Sequence, residues 1–312
     1  MATFAAQIKR ELAGLQTNQC CMKAELAALI RINGTLSLTN RGFGFELQTE
    51  NASTSRRIYS LIKGLYEREI EILVRKKMKL QKNNVYILRV PDREREILND
   101  LQLLTDAGFG VTLNPELVAK DCCKGAYLRG AYLASGSVND PKRSNYHLEV
   151  YVANEEHAQQ LATLSNHFHL NAKVTARKKG FIMYIKEAEK IADFIGLIGA
   201  TTSLFEFEDI RITRDMRNSV NRVMNCEFAN VQKSLNAAEE QIHNIHVVYE
   251  YIGREMISDK LQLAADYRIQ NPDLTLGDLA ELLASDGYPV SKSGLNHRFR
   301  KLAELAKPYI VE

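Results

Sequence analysis

The chain of 312 residues lacks an apolar run long enough to cross a membrane. Its best stretch, residues 195–205, is far shorter than the roughly 20 residues of a spanning helix and contains Gly and Thr. The first 15 residues reach Lys9-Arg10-Glu11 too early for a secretory signal. The formal net charge of +3 is too small to identify a partner class. These absences predict a cytoplasmic protein and exclude a membrane partner.

One segment of the chain occurs twice, 102 residues apart. Residues 20–36 align without a gap on residues 122–138, and both copies begin with a cysteine pair and contain Gly followed by a small hydroxyl residue near their ends. The same offset places Arg75-Lys76-Lys77 on Arg177-Lys178-Lys179. This self-similarity predicts a duplicated unit of about a hundred residues.

Each copy has the same order of predicted elements: helix, two strands, helix, two strands, helix. The first helix ends at Gly34 or Gly136, which we interpret as C-cap residues, and the middle helix begins at Asn51 or Asn154 as N-cap. The hydropathy alternation predicts strands at 35–39, 43–49, 71–77 and 85–90, and in the second copy near 138 and at 146–152, 172–177 and 181–185. The remaining helices are predicted at 52–66 and 92–104, and at 155–168 and 187–197.

The opening helices end in two nine-residue motifs, LAALIRING at 26–34 and LRGAYLASG at 128–136. Their Ala and Gly residues favour a close contact between the two helices across a pseudo-twofold axis. Motif and element order resemble the LAGLIDADG homing endonuclease family, in which two such helices pack side by side and two sheets form a saddle over duplex DNA. The resemblance implies an α+β fold for residues 1–205, with repeats at about 1–104 and 119–205.

The acids that carry catalysis in that family are missing. There, the residue before the final Gly of each motif is an acid that holds the catalytic divalent metal, and here these positions are Asn33 and Ser135. Hard divalent ions need anionic oxygen ligands, so an amide and a hydroxyl predict no catalytic residue and no enzyme activity. Glu25 and Asp140 are the nearest acids in sequence, and cleavage rescued by either remains an alternative.

The last third of the chain is predicted to be helical. Residues 206–254 form a connector with a charge-rich start at 209–218 and amphipathic helices at 221–231 and 237–251. Residues 255–312 predict three helices: one capped by Ser258, one at 276–284 opened by a Thr275-to-Asp278 capping box, and one from Lys292 to about 306 capped by Ser291. A short helix, a Gly-bearing turn and a longer helix indicate a helix-turn-helix.

The third of these helices has the residue types that bind DNA. The segment from 255 onward is net acidic, but residues 291–301 contain no acid. Basic, amide and hydroxyl side chains bond phosphates and base edges, and a helix N-terminus attracts phosphate. We therefore predict the DNA-binding residues Ser291, Lys292, Ser293, Asn296, His297, Arg298, Arg300 and Lys301.

A degenerate LAGLIDADG repeat, the connector sequence NSVNRVMNCEFAN at 218–230 and SGLNHR at 293–298 occur together in the WhiA family of Gram-positive bacteria. The resemblance covers essentially the whole chain. It implies a regulator that binds double-stranded promoter DNA, associates with the nucleoid and acts in sporulation or cell division, without a cofactor. It leaves open whether another transcription or cell-division protein binds the N-terminal domain.

The five cysteines and the paired histidines offer a minority alternative. Two adjacent Cys pairs and no signal peptide predict reduced thiols rather than a disulfide framework. If the motif helices pack in parallel, the two pairs approach each other and could hold zinc, but adjacent cysteines lack the usual two-residue spacer. We therefore predict buried packing and no metal. His243 and His246, with Cys226 upstream, are interpreted as helix-surface or interdomain residues.

Two basic segments at equivalent repeat positions have two interpretations. Arg75, Lys76 and Lys77, and Arg177, Lys178 and Lys179, could contact phosphates from the saddle, or could serve solubility on exposed hairpins. The first hypothesis for the chain is thus a DNA-binding regulator without nuclease activity. The alternatives are an active LAGLIDADG-type endonuclease and a protein-interaction scaffold.

Overall fold

The protein is described as a computed structural model, over residues 3–39, 42–76, 84–90, 94–105, 108–109, 113–143 and 145–310. The chain separates into two compact units, residues 1–214 and 215–312. Across the described ranges, none of the helices combines the length and the apolar character that crossing a membrane requires. Each unit is built around its own cluster of buried apolar side chains.

The first repeat of unit 1 follows the predicted order. Its elements are α1 (Phe4–Leu12), α2 (Gln19–Asn33), β1 (Gly34–Thr39), β2 (Gly42–Thr49), α3 (Ala52–Tyr66), β3 (Glu71–Lys76), β4 (Asn84–Arg89) and α4 (Glu94–Asp100). A short β5 (Leu104–Thr105) and β6 (Gly108–Phe109) pair follows. Helix α1 lies before the aligned segment 20–36 and was not predicted.

The second repeat has the same layout. It comprises α5 (Asp121–Ser135), β7 (Gly136–Val138), β8 (Leu148–Val152), α6 (Glu155–His167), β9 (Lys173–Arg177), β10 (Gly180–Ile185) and α7 (Ala188–Leu197). The two four-stranded sheets have equivalent orders, β1-β2-β4-β3 and β7-β8-β10-β9, with antiparallel pairing of all neighbours. The predicted α+β duplication is confirmed.

Helices α2 and α5 pack against each other where the sequence has small residues. A side chain on Gly130 would place its Cβ 2.2 Å from the carbonyl oxygen of Glu25 and 2.9 Å from the Cβ of Ala28. Two backbones can approach this closely only where one has no Cβ. The predicted small-residue contact between the two motif helices is therefore confirmed.

The predicted caps of the repeat differ in their physical basis. Gly34 and Gly136 are the C-cap residues of α2 and α5, as predicted, and both have extended backbones with negative φ. Glycine is required there because a Cβ would lie 2.3 Å from Ile30 O or from the Tyr132 ring. Asn51 caps α3 through Ser53 N and Thr54 N, whereas Asn154 occupies the N-cap of α6 without a side-chain bond.

Residues 201–251 form one helix, α8 (Thr201–Tyr251), and the prediction of two separate connector helices is wrong. These 51 residues contain neither Gly nor Pro, so nothing interrupts the backbone hydrogen bonds. The boundary between the two units falls inside this helix.

Unit 2 continues with α9 (Asp259–Gln270), α10 (Leu276–Ser285) and α11 (Lys292–Ala306), close to the predicted bounds. Its core includes Ile245 and Val248 from the end of α8, both fully buried, together with Leu261, Leu279 and Phe299 from the three later helices. The helix-turn-helix segment therefore shares its core with residues before 255.

Candidate nucleic-acid interface

Helix α11 is capped at its N-terminus by Ser291, as predicted. The Ser291 hydroxyl accepts a hydrogen bond from Gly294 N at 3.1 Å, which satisfies one of the free amides of the first turn. Ser291, Lys292 and Ser293 are all exposed. The remaining free amides and the helix dipole give this end a local attraction for an anion such as phosphate.

The polar side chains of α11 form two neighbouring rows along one side of the helix. Positions four apart lie nearly above one another, so the first row is Lys292, Asn296 and Arg300, and the second is Ser293, His297 and Lys301. All six are exposed or half-buried. The opposite side consists of the buried residues Leu295, Phe299, Leu302 and Ala306. The helix thus presents a continuous cationic and hydrogen-bonding face to solvent.

Arg298 lies apart from that face. At about 100° per residue it falls roughly 150° from the centre of the two rows, next to the buried side of the helix. Its side chain is half-buried, unlike exposed Arg300 and Lys301. The other predicted residues of α11 thus form the two rows, and Arg298 lies outside these rows, three positions before Lys301.

The elements around α11 hold its orientation. The predicted capping box of α10 is present, because the Thr275 hydroxyl accepts from Asp278 N and the Asp278 carboxylate accepts from Thr275 N. The predicted turn after α10 contains Gly287 at a φ of +88°, which favours glycine. Arg268 of α9 is buried, donates to Leu274 O at 2.7 Å and lies 5.5 Å from the Phe299 ring of α11. These contacts link all three helices.

The two positions where the nuclease family carries acids end the motif helices. Asn33 is the last residue of α2 and Ser135 the last of α5. The Ser135 hydroxyl donates to Tyr151 O at 2.5 Å, so it is committed to the neighbouring strand. The side-chain amide nitrogen of Asn33 is buried and finds no hydrogen-bond partner among the residues that the structure describes. Neither residue offers the anionic oxygen that a hard divalent ion needs.

Glu25, one of the two alternative acids, forms buried ion pairs with two arginines. Its carboxylate is fully buried and accepts from Arg57 Nε at 2.7 Å, from Arg57 Nη2 at 2.8 Å and from Arg129 Nε at 2.9 Å. Arg57 belongs to the first repeat and Arg129 to the second, so this cluster, which we call the Glu25 triad, joins the repeats. Glu25 and Arg129 stand within the apolar parts of the two motif helices, which is the sequence signal for a buried ion pair, but the triad was not predicted.

Asp140, the other alternative acid, is exposed in the turn after β7. Its carboxylate accepts from Lys142 N at 2.9 Å, as is usual for an aspartate that shapes a turn. Among the described residues, Asp140 belongs to no group of side chains that could bind a metal ion together.

A cavity of about 480 Å³ opens beside the second motif helix, lined among others by Lys9, Asn51 and Ala134. Burial lowers the pKa of Lys9 to about 8, and its ammonium lies 5.8 Å from the centroid of the Tyr132 ring. The cleft thus contains a cation near the position where the nuclease family has carboxylates. Lys9 is not among the predicted site residues, because α1 lies before the aligned segment 20–36 that directed attention to the motif helices.

The two basic segments lie on equivalent edge strands. Arg75 and Lys76 end β3, and Arg177, Lys178 and Lys179 end β9 and form its turn, all of them exposed. Lys77 lies outside the described residues. Arg177 Nη2 is 3.2 Å from Glu149 Oε2, so part of its charge is already compensated. The two segments, which align in sequence, thus also occupy equivalent positions in the two sheets.

The remaining candidate ligands divide into one assembled group and one dispersed group. Cys20, Cys21, Cys122 and Cys123 have thiols that all lie within 4.8 Å of one another. A hydrogen bond with Cys123 lowers the pKa of Cys20, whereas burial raises the pKa of Cys21 to about 11 and of Cys123 to about 12.

The dispersed group lies on α8. Cys226, His243 and His246 are exposed on this helix, as predicted for surface residues. The 17 residues from Cys226 to His243 correspond to about 25 Å of straight helix. These side chains therefore cannot share one metal ion within the chain.

Three family descriptions match successive parts of the chain. Residues 19–104 match the WhiA N-terminal LAGLIDADG-like domain, residues 124–217 the WhiA LAGLIDADG-like domain and residues 220–306 the WhiA C-terminal HTH domain. Two similar relatives, both named probable cell division protein WhiA, come from Bacillus cytotoxicus and Anoxybacillus flavithermus. The first is 51% identical over 98% of this chain and 96% of its own length, the second 52% over 98% and 94%.

A crystal structure of full-length DUF199/WhiA from Thermatoga maritima matches with a TM-score of 0.61 at 24% identity, covering 100% of both chains. At that identity the likeness concerns the fold. The matched architecture agrees with the two repeats and the helical C-terminal unit described above.

Proposed function

The chain belongs to the WhiA family, and from this premise we propose that it is a sequence-specific DNA-binding transcription regulator of cell division or sporulation. The relatives named above are probable cell division proteins, which supports the process. The observation that carries the proposal is the solvent face of α11, with two rows of basic, amide and hydroxyl side chains and no acid from 291 to 301.

The geometry of α11 supports entry into the major groove of double-stranded DNA. An exposed helix N-terminus with Lys292 beside it suits a phosphate, and Asn296 and Arg300 lie further along the same row. Asn pairs well with adenine and Arg with guanine along the major-groove edges of bases. We therefore assign phosphate contact to Lys292 and Lys301 and base contact to Asn296 and Arg300. Arg298 is expected to contribute less than either, because it points away from this face.

The experiment uses the intact protein. A randomised duplex library is selected on it, and the enriched duplex and a scrambled duplex are then titrated by fluorescence anisotropy at two salt concentrations. Arg300→Ala should weaken binding to the enriched duplex by about 1–3 kcal/mol and reduce the preference over the scrambled one. Lys292→Ala should weaken binding to both duplexes alike. It should also reduce the slope of log K against log salt concentration by about one.

Two variants serve as controls for these titrations. Lys260→Ala changes an exposed lysine of α9 in the same unit and should leave binding unchanged. Arg298→Ala should cost less affinity than Arg300→Ala. If Arg298→Ala has the larger effect, the assignment of the base contact to Arg300 is wrong. If Arg300→Ala and Lys292→Ala both bind like the parent protein, α11 is not the recognition helix.

We further propose that the repeat unit does not cleave DNA. The support is the neutral pair Asn33 and Ser135 at the acid positions, the neutralisation of Glu25 by two guanidinium groups and the turn role of Asp140. Supercoiled plasmid incubated with the protein and Mg²⁺ or Mn²⁺ should stay supercoiled. Cleavage that disappears in Asn33→Ala or Ser135→Ala would establish the endonuclease alternative instead.

The edge strands of the repeat unit support an accessory contact surface. The basic ends of β3 and β9 are proposed as nonspecific phosphate contacts. A partner protein is the competing occupant for β3, because Ile72, Leu73 and Val74 of that strand are all exposed. A combined Arg177→Ala and Lys178→Ala variant should lower affinity for both duplexes equally if β9 contacts phosphate. Unchanged affinity would assign the strand ends to solubility or protein binding.

A further inference from the structure

The two cysteine pairs of the duplication converge at one point of the fold. Cys20 and Cys21 lie in the first turn of α2, and Cys122 and Cys123 lie in the first turn of α5. Their four sulfur atoms all lie within 4.8 Å of one another, and the sulfurs of Cys122 and Cys123 are 3.9 Å apart. Each repeat therefore supplies two thiols to one cluster, which we call the thiol cluster.

The dimensions of the thiol cluster fit a tetrahedral metal ion. Zinc binds thiolate sulfur at about 2.3 Å, which places the sulfurs of a tetrathiolate site about 3.8 Å apart. No separation here exceeds that value by more than about 1 Å, so inward movement of each sulfur by at most about half an ångström closes the site. Small side-chain rotations at the helix ends provide that movement.

The usual two-residue spacer between zinc-binding cysteines is not needed in this arrangement. A spacer lets one chain segment turn both sulfurs toward the same ion. Here the two ligand pairs come from two packed helices, and each pair turns toward the other helix. This packing, which the sequence spacing alone did not reveal, removes the objection on which the prediction of no metal depended.

The surroundings of the cluster stabilise negative charge. A zinc ion with four thiolates carries a net charge of −2, and both helix N-termini direct their free amides and positive dipole ends toward it. Neither N-cap residue, Asn18 or Lys120, uses its side chain to cap its helix. Lys120 lines the same cavity as Cys20 and Cys123, whereas the charge of Lys23 in that cavity is paired with Asp100 at 2.7 Å.

We propose that Cys20, Cys21, Cys122 and Cys123 bind one Zn²⁺ ion that fastens the first turns of α2 and α5 together. Four protein ligands leave no open position for water, so the site is structural rather than catalytic. The ion would cross-link residues about 100 positions apart in sequence, and a cross-link over so long a loop removes much freedom from the unfolded chain. This inference concerns the repeat unit and does not depend on the proposed DNA-binding function.

The test begins with the metal content of the intact protein. The protein is purified under reducing conditions without added metal or chelator, and zinc is measured by mass spectrometry of the elements. It is then stripped and titrated with Co²⁺. We expect one equivalent per chain, intense visible absorption of a tetrahedral cobalt thiolate, and four sulfur neighbours at about 2.3 Å by X-ray absorption. Absence of stoichiometric uptake, or a shell of nitrogen and oxygen, overturns the proposal.

Single substitutions then identify the ligands. Cys20→Ser and Cys123→Ser should each weaken Co²⁺ or Zn²⁺ binding at least about tenfold and change the visible spectrum. Cys226→Ser, which changes the exposed cysteine of α8, is the matched control and should retain full stoichiometry and spectrum. If Cys226→Ser loses the metal as Cys20→Ser does, the ion lies elsewhere. If the cluster variants do not fold, the number of sulfur neighbours measured by X-ray absorption on the parent protein decides whether the proposal holds.

Discussion

Replacing Glu25 by glutamine tests whether the Glu25 triad fastens the two repeats. The substitution keeps the size of the side chain and removes its negative charge. Glu25 is fully buried, and Arg57 and Arg129 are nearly so, so neither guanidinium can turn to water. The variant therefore leaves two buried positive charges without an anion between them.

The expected loss of stability follows from the hydrogen bonds of the Glu25 carboxylate. Glu25 accepts three charge-assisted hydrogen bonds, at 2.7, 2.8 and 2.9 Å. An amide retains at best the two at one oxygen and turns an NH₂ group toward the third donor. A lost charge-assisted bond costs about 1.5–3 kcal/mol, and breaking a buried ion pair about 3–5 kcal/mol. We expect the free energy of unfolding of unit 1 to fall by about 3–5 kcal/mol.

Thermal and denaturant unfolding of the intact protein measure this loss. For a unit of this size, about 3–5 kcal/mol corresponds to a fall in Tm of about 6–20 °C. Glu149→Gln is the matched control, because Glu149 also contacts Arg177 and His147 but is partly exposed. Exposed pairs contribute about 0–1 kcal/mol, so this variant should be nearly neutral. If Glu25→Gln unfolds like Glu149→Gln, the triad does not hold the repeats together.

Two further predictions concern unit 1. Gly130→Ala should destabilise it by about 1–3 kcal/mol in denaturant unfolding, because the new Cβ meets a backbone oxygen at 2.2 Å, while Gly125→Ala, whose Cβ meets Leu197 at 3.4 Å, should be neutral or stabilising. Burial lowers the pKa of His157 to about 3, so on acidification the unfolded chain binds this proton before the folded protein does. The free energy of unfolding therefore falls below about pH 6.5, by up to about 1.4 kcal/mol for each pH unit. Parent and His157→Gln stabilities compared from pH 7 to 5 should show this slope in the parent alone; parallel curves would contradict it.

Local patterns in the sequence predict most element bounds. Helix α3 and helix α11 occupy the predicted residues, because their caps, Asn51 and Ser291, form hydrogen bonds within the first turn that depend on neighbouring residues only. Asn154 shows the limit of this reasoning. It occupies the expected position, but its side chain makes no capping bond, since side-chain orientation depends on the surroundings.

The misjudged features depend on contacts between distant segments. Glu25 and Arg129 are charges in the middle of the motif helices, and only the packing of α2 on α5 makes them partners. The approach of the thiols depends on the same packing, which the sequence analysis could state only as a condition. Arg298 was grouped with Arg300 by residue type, and helix periodicity places the two on different sides of α11, so its DNA contact stays a prediction.

Under the proposal that the repeat unit does not cut DNA, neutral residues at the acid positions have a physical benefit. Asn33 and Ser135 are the final residues of α2 and α5, where the helix dipole is negative. A carboxylate at either position is unfavourable unless a cation is bound nearby. Neutral side chains remove that penalty, and Ser135 adds a bond to Tyr151 O. The contacts that hold the helices together, at Gly130 and at the Glu25 triad, do not involve these positions, so the packed repeat persists without the metal chemistry.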